Sequence, residues 1–412
     1  MSARIVVAGA ALGGLRAAEQ LRATGWTGRI TIVGDEPHMP YNRPPLSKEA
    51  LVGKAPFESL TFTPKASAAD VEWRLGTKAV AARLDERAVV LDDGSTLSYD
   101  GLVVATGMRP RRLRCPGPLA GRHTVRTLSD ARGLRDELTR PGARVVVVGA
   151  GFIGCEVAAT AVGLGVAEVT VVDPLPLPLL GPLGELLARA LLKRHEERGV
   201  RFALGAGVTG FEGRHRVRGV ALSDGTVLPA DVVVESVGSL ANTEWLDGNG
   251  LDLSDGVLTD EHLRVGGRPD VVAVGDVARF PNARYDGVPR RVEHWSIPAD
   301  TAKHAAKVLV AHLAGAGAGA GAGTGLAPFA PLPTFWSDQH EFRLQSFGAP
   351  VLGLGDVRVL DGDPDGHPDG DVLVGYHAGG RLAGVVALGG RAAASAAARW
   401  RARLLKQPAL TV

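Results

Sequence analysis

The sequence predicts an α/β chain: two three-layer units built on parallel sheets, followed by a smaller α+β domain. Three observations predict it. The stretch Ile5-Val6-Val7-Ala8-Gly9-Ala10-Ala11-Leu12-Gly13-Gly14 is an apolar run that ends in glycines and flows into a helical pattern. The stretch Val145-Val146-Val147-Val148-Gly149-Ala150-Gly151-Phe152-Ile153-Gly154 repeats it. Around each, the order strand, turn, helix, strand recurs, so the architecture is internally duplicated. Continuous apolar runs suit strands buried on both faces of a parallel sheet.

Each copy is a Gly-x-Gly-x-x-Gly fingerprint in the setting that gives it meaning, after a strand and before a helix. The first glycine allows a tight turn, the second lets backbone approach a pyrophosphate, and the third lets helix pack on strand. The phosphates then meet free N–H groups and the partial positive charge of a helix N-terminus. The first copy departs from the pattern at Ala11, the smallest departure possible. An acid follows each copy by about 20 residues, as the motif requires. These are Asp35, which closes Arg29-Ile30-Thr31-Ile32-Val33-Gly34, and Asp173, which closes Val169-Thr170-Val171-Val172. Each can accept hydrogen bonds from a ribose diol. Ordinary strand–helix turns would not need the acids. Two Rossmann-like dinucleotide-binding domains are therefore expected, an arrangement that suits a flavoprotein taking hydride from a nicotinamide.

The remaining elements follow in order. Residues Pro37 to Pro45 are too proline-rich for regular helix. Residues 71–104 read as short strands with an Asp93-Gly94 turn, ending in Leu102-Val103-Val104-Ala105. Thr106-Gly107-Met108-Arg109-Pro110 breaks the pattern. Residues 169–235 repeat the first plan, with a helix from Leu183 to Gly199, a strand, an Asp224-Gly225 turn and Val232-Val233-Val234. Val271-Val272-Ala273-Val274-Gly275-Asp276 is a short buried strand, and a helix is expected from about Pro298 to Leu313. The Gly/Ala tract beginning at Ala314 reads as a flexible linker, since glycine costs a helix too much entropy. Residues 327–412 carry short strands and an Ala/Arg-rich helix from about Arg391. The expected division is a discontinuous first domain of residues 1–108 and 239–313, a second of 109–238, a linker at 314–326 and a C-terminal domain of 327–412.

Composition narrows the function. The 412 residues suffice for two or three domains. A net charge of +2 gives no general attraction for nucleic acid. The two cysteines, Cys115 and Cys155, have neither C-x-x-C nor metal-type spacing, and no histidine has metal spacing, so no metal site is expected. No apolar run is long enough for a bilayer. The chain enters a strand within a few residues, so no signal peptide is expected and a cytoplasmic location is.

Met39-Pro40-Tyr41-Asn42-Arg43-Pro44-Pro45-Leu46-Ser47-Lys48 is a highly specific stretch. It resembles the P-Y-x-R-P-P-L-S-K segment of the oxygenase-coupled, FAD-dependent ferredoxin reductases. Ala105-Thr106-Gly107, Val125-Arg126-Thr127-Leu128, Gly275-Asp276, Val292-Glu293-His294-Trp295 and Phe335-Trp336-Ser337-Asp338-Gln339 extend the resemblance in the same order over nearly the whole chain. Only the Gly/Ala tract looks foreign to it.

The resemblance implies an NADH-dependent ferredoxin reductase that moves hydride from NADH to non-covalent FAD and single electrons to an iron–sulfur ferredoxin serving an oxygenase. It implies that Gly9, Ala11, Gly13 and Gly14 hold the FAD pyrophosphate and Asp35 the adenosine ribose. Arg43 and Lys48 would approach the phosphates and the flavin, Lys48 at the N5 edge. Ala79 would offer backbone to the adenine, and Arg126 would contact flavin. Gly275-Asp276 would bind the ribityl chain, and Trp295 would flank the ring where nicotinamide stacks. Gly149, Gly151, Ile153 and Gly154 would hold NADH, with Glu156 facing the nicotinamide amide, Asp173 the ribose and Gly238 lining the cleft. Lys48, Glu156 and Trp295 are thus the candidate catalytic residues. Asp173 and the arginine-free segment Pro174 to Pro178 favour NADH over NADPH.

Two features test the resemblance. Glu235 stands where the family has a small or apolar residue, which bears on the shape of the NAD cleft. The C-x-x-x-x-C of disulfide-reducing relatives and the lone reactive cysteine of oxidase relatives are both missing, so a thiol relay is excluded and the flavin carries the chemistry. Arg284, Arg290 and Arg291, just before Trp295, would form a basic rim that steers an acidic, transiently bound ferredoxin. Other readings stay open: a flavin-dependent NADH oxidase, a nitrite-reductase-type flavin subunit, or a redox-sensing NAD-binding flavoprotein such as apoptosis-inducing factor, which shares the proline-rich segment.

Overall fold

The first apolar run becomes the strand Arg4–Ala8, with Ile5 to Ala8 all buried. The computed structural model describes residues 3–315, 325–367 and 369–407. Arg4–Ala8 pairs in parallel with Arg29–Gly34 on one side and Gly101–Val104 on the other. The full sheet runs Arg264–Val265, Arg268–Ala273, Gly101–Val104, Arg4–Ala8, Arg29–Gly34, Glu72–Leu75. Both of its faces are covered, which is why its strands are apolar throughout rather than alternating. Helices Leu12–Ala23 and Ile297–Ala314 pack together on it. A small antiparallel sheet of Ala79–Arg83, Ala88–Leu91 and Thr96–Ser98 joins the same core as the third layer.

The first unit is completed by chain that returns after the second. Met108–Pro110 leaves and Ser239–Ala241 comes back as an antiparallel pair. The crossing is fastened where Thr106 Oγ1 donates to the Asn242 carbonyl (2.6 Å) and Asn242 Nδ2 donates to the Thr106 carbonyl (2.9 Å).

The second unit repeats the plan with a parallel sheet in the order Val200–Leu204, Glu168–Asp173, Arg144–Val148, Val232–Glu235, Arg122–His123. Its helices are Leu128–Leu138, Phe152–Gly163 and Leu180–Glu196. Thr127 and Asp130 close a capping box at the start of the first of these. The helix expected from Leu183 to Gly199 begins earlier and ends earlier. Leu179 sits at φ 55°, Gly184 breaks the helical path at φ 74°, and Gly199 is left-handed at φ 90°, so the regular turns lie between them.

The third unit is an antiparallel sheet, Thr334–Gln339, Phe342–Gly348, Arg381–Gly389, Val372–Ala378, Val357–Gly362, with the helix Arg391–Lys406 on one side. Phe342, Leu344, Val374 and Tyr376 pack against Leu183, Leu187 and Leu191 of the second unit, and Cys155 lies in the same core. Residues 316–324 of the expected linker lie outside the described residues. Before the third sheet begins, Phe329 packs on Phe280 and His304, and its N–H donates to the Glu261 carbonyl (2.7 Å), so this stretch belongs to the first core. No helix among the described residues is long and apolar enough to cross a membrane.

Candidate active site

The two fingerprint turns lie at the carboxyl ends of their strands, where ligands bind in open α/β sheets. Their glycines divide by job. A Cβ on Gly9 (φ 124°) would stand 2.1 Å from the Ala105 carbonyl oxygen, and one on Gly14 2.0 Å from that of Gly9. The second copy repeats this: Gly149 (φ 105°) at 2.2 Å from the Ser236 oxygen and Gly154 at 2.0 Å from that of Gly149. These four shape the turn and seat the helix on the strand, behind the cleft wall. Gly151 is different, with open space around its would-be Cβ, and it faces the cleft, as do Ala11 and Gly13. Helices Leu12–Ala23 and Phe152–Gly163 begin at Ala11 and Gly151 with no side-chain cap, so their first N–H groups are free for a ligand.

Both turns open on one cleft of about 610 Å³. All three units contribute to its wall. Arg43, Lys48, Arg126, Gly275, Asp276 and Trp295 come from the first and its junction, Ile153, Glu156 and Gly238 from the second, and Phe335 and Trp336 from the third. Ile153 is exposed there, an apolar side chain open to a ligand. Asp276, carried by the tight turn Gly275–Val277, has its carboxyl pushed up to about 6 by burial, with Arg126 opposing. Its nearest cation is the Arg126 guanidinium at 3.8 Å. Burial likewise lowers Arg126 from its ordinary value. His294 is held to about 4 by burial, so it is neutral near pH 7.

Lys48 and Glu156 meet across the boundary of the first two units. Lys48 Nζ donates to Glu156 Oε2 (2.7 Å), to the Pro44 carbonyl (3.1 Å) and to Ser47 Oγ (3.2 Å). Ser47 Oγ also donates to Glu156 Oε2 (2.6 Å), and Ser337 Oγ of the third unit donates to Oε1 (2.6 Å). Glu156 thus lines the cleft with its carboxylate buried and held by these three donors.

Other expected residues fall outside the cleft wall. Asp35 is exposed just past the end of its strand. Ala79 begins the small sheet, beside residues that bond back to the strand end through Thr77 N–H to the Gly34 carbonyl (2.9 Å). Asp173 accepts from the Ala150 N–H (2.8 Å) and the Leu175 N–H (2.9 Å), so it braces the second turn. Arg43 lines the cleft, but its guanidinium is bound to Glu36, Tyr41 and the Arg126 carbonyl.

Of the expected basic rim, Arg284 donates to the Leu404 carbonyl (3.4 Å) and has no ion pair among the described residues, while the other two arginines are paired. Arg290 is paired with Asp286 (2.5 and 2.6 Å), and Arg291 with Asp255 and Glu293 (both 2.7 Å). Neighbouring carboxylates thus neutralise both charges. Glu235 lies at the cleft wall with its charge met inside the second unit. It is fully buried, with Oε1 on Arg122 Nε (3.0 Å) and Oε2 on the Leu113 N–H (2.7 Å), while Arg122 lies over the Phe211 ring at 3.8 Å. Neither cysteine lines the cleft. Burial pushes the Cys155 thiol well above its ordinary value, which leaves it inert.

The model of pyridine nucleotide-disulphide oxidoreductases matches residues 3–302. The chain belongs to this family. It is 37% identical to putidaredoxin reductase of Pseudomonas putida, over 92% of this chain and 87% of that one. It is 36% identical to the ferredoxin–NAD(+) reductase component of the biphenyl dioxygenase system of Paraburkholderia xenovorans, over 88% and 85%. Its fold matches the covalent putidaredoxin reductase–putidaredoxin complex with a TM-score of 0.88 at 33% identity, over 98% of this chain and 94% of that one. It matches the ferredoxin reductase of the CYP199A2 system from Rhodopseudomonas palustris at 0.82 and 32%, over 94% and 92%.

Proposed function

We propose that this chain is an NADH-dependent, FAD-containing reductase that passes single electrons to an iron–sulfur ferredoxin, which in turn serves an oxygenase. The observation that carries this reading is the single cleft shared by two uncapped fingerprint helices. In this reading residues 1–108 and 239–313 hold FAD and residues 109–238 hold NADH. Bound FAD supplies the redox chemistry, taking hydride from NADH and releasing electrons one at a time.

This chain's own residues bind and orient. The helix at Ala11 and Gly13 receives one pyrophosphate, with Gly9 and Gly14 fixing the turn and Asp35 taking the ribose. The helix at Gly151 receives the other, with Gly149 and Gly154 fixing the turn and Asp173 at the ribose. Asp276 accepts from a ribityl hydroxyl. Among the described residues its carboxylate has no hydrogen-bond donor of its own, and a hydroxyl would supply one. Arg126 would bring positive charge to the flavin, Arg43 would lie beside it with its own charge paired to Glu36, Lys48 would stand at its edge with Glu156 behind, and Trp295 would flank the ring. Gly238 and Ile153 leave an apolar floor for the nicotinamide, and Ala79 lies on the adenine side. The acceptor is a ferredoxin met transiently, in the cytoplasm; the names of the relatives support a ferredoxin as partner.

The test is direct. Purified protein should be yellow, release FAD and not FMN on denaturation, and reduce members of a ferredoxin panel with NADH faster than it reduces oxygen. A colourless protein that takes up no added FAD would overturn the reading. So would a flavoprotein that passes NADH electrons only to oxygen.

A further inference from the structure

Behind Glu156 a file of buried polar side chains leads away from the cleft. Ser337 Oγ donates to Glu156 Oε1 (2.6 Å) and accepts from Gln339 Nε2 (3.0 Å). Gln339 Oε1 lies 2.8 Å from His195 Nε2, and His195 Nδ1 lies 3.2 Å from His340 Nε2. Ser337, Gln339 and His195 are essentially without solvent exposure; His340, in the turn after Gln339, is half-buried.

The proton positions along this file are forced. A carboxylate only accepts, so the Ser337 hydroxyl must donate to it, and its lone pair is left for the Gln339 amide hydrogen. The Gln339 oxygen can only accept, so His195 carries its proton on Nε2. Its Nδ1 is then bare and accepts from His340 Nε2–H. Burial holds both histidines to about 4, so both are neutral near pH 7 and the tautomers are well defined. Every bond dipole in the file therefore points its positive end toward Glu156. An amide in the middle interrupts any proton passage, so the file aligns and does not conduct. It also crosses domains: Lys48 and Ser47 belong to the first unit, Glu156 and His195 to the second, Ser337, Gln339 and His340 to the third.

We propose that Ser337 and Gln339, backed by His195 and His340, are positioning residues by which the C-terminal sheet fixes the Glu156–Lys48 pair and so sets the reduction potential and hydride acceptance of the flavin. The inference rests on the FAD and NADH reading given above. Without Ser337, Oε1 of Glu156 loses its donor. The carboxylate then carries more uncompensated negative charge and is free to turn, and Lys48 turns with it. Both changes disfavour a reduced, anionic flavin at the Lys48 edge. A hydrogen bond to a charged group corresponds to about a tenfold effect or more.

Ser337→Ala and Gln339→Met should therefore each slow flavin reduction by saturating NADH about tenfold in stopped-flow, while the NADH Kd stays within about twofold. The flavin reduction equilibrium should shift by a similar factor toward the oxidised form, about 30 mV for a two-electron couple. Ser337→Thr, which keeps the hydroxyl, should restore both values. Ser346→Ala supplies the packing control: Ser346 is equally buried on the adjoining strand, but its hydroxyl has no partner among the described residues, and its removal should change neither value. If Ser337→Ala and Gln339→Met bind FAD, react with NADH at the parent rate and keep the parent potential, the inference is wrong and the FAD and NADH reading stands. A Ser346→Ala variant that falls as far as Ser337→Ala would also overturn it, as a packing effect. A parent that binds no FAD overturns the underlying reading instead.

Discussion

Replacing Gly14 or Gly154 by alanine should disable one dinucleotide site and spare the other. In both positions the added Cβ would lie 2.0 Å from the carbonyl oxygen of the first fingerprint glycine, against a floor of 3.0 Å for real contacts. The obstacle is backbone in the turn just past the strand, so no rotamer change relieves it. The helix must lift by about 1 Å, the kind of overpacking that costs roughly 1–3 kcal/mol. Lifting withdraws the uncapped N–H groups from the phosphates, and that energy corresponds to a fall in affinity of about fivefold to 150-fold. Gly14→Ala should therefore lose FAD on gel filtration and raise the FAD Kd by at least about fivefold, while NADH affinity of the reconstituted protein stays near the parent's. Gly154→Ala should keep FAD and raise the KM for NADH to the same degree. Flavin retention by absorbance and NADH titration by stopped-flow separate the two. If Gly14→Ala impairs NADH and keeps FAD, the assignment of cofactors to fingerprints is reversed. If neither variant changes either affinity, the helix N-termini do not hold the dinucleotides.

Asp276→Asn should stabilise the flavin-free protein. The raised carboxyl disfavours the folded state by an amount that is absent below about pH 4, grows as pH rises through about 6 and is complete above it. Denaturant unfolding should show a gain of up to about 3 kcal/mol at pH 7.5 and none at pH 4, and a pH-independent difference would contradict this. Glu235→Ala should cost about 3–5 kcal/mol, because it strands the Arg122 guanidinium in the core. Adding Arg122→Met should recover most of that loss, and a double variant as unstable as the single one would show that the pair is not the cause. Asp173→Ala should reduce the preference for NADH over NADPH. It should also raise the KM for both, since the same carboxylate braces the turn at Ala150; unchanged discrimination would remove Asp173 from the ribose site.

The sequence by itself determined the duplicated α/β plan, because its information is local. Apolar runs, glycines at fixed spacing and an acid at the next strand end specify a strand–turn–helix unit through backbone sterics alone. Gly9, Gly14, Gly149 and Gly154 stand where that logic put them, each blocked by backbone against any larger residue. The family segment from Met39 to Lys48 likewise marked a wall of the cleft. What the sequence did not decide is which side chains neutralise one another, since the folded backbone chooses among carboxylates both near and far in the chain. Arg290 and Arg291 looked like a free basic rim until Asp286, Asp255 and Glu293 folded onto them. Glu235 looked like a misplaced charge until Arg122, more than 100 residues away, met it in the core. Ser337 and Gln339 were visible only as a matching string. Their two-residue spacing put both on one face of a strand, but the partner of that face was not in the local sequence. Packing of the third sheet on the second unit brought them to Glu156, because Phe342, Leu344 and Tyr376 are buried against Leu183 and Leu187.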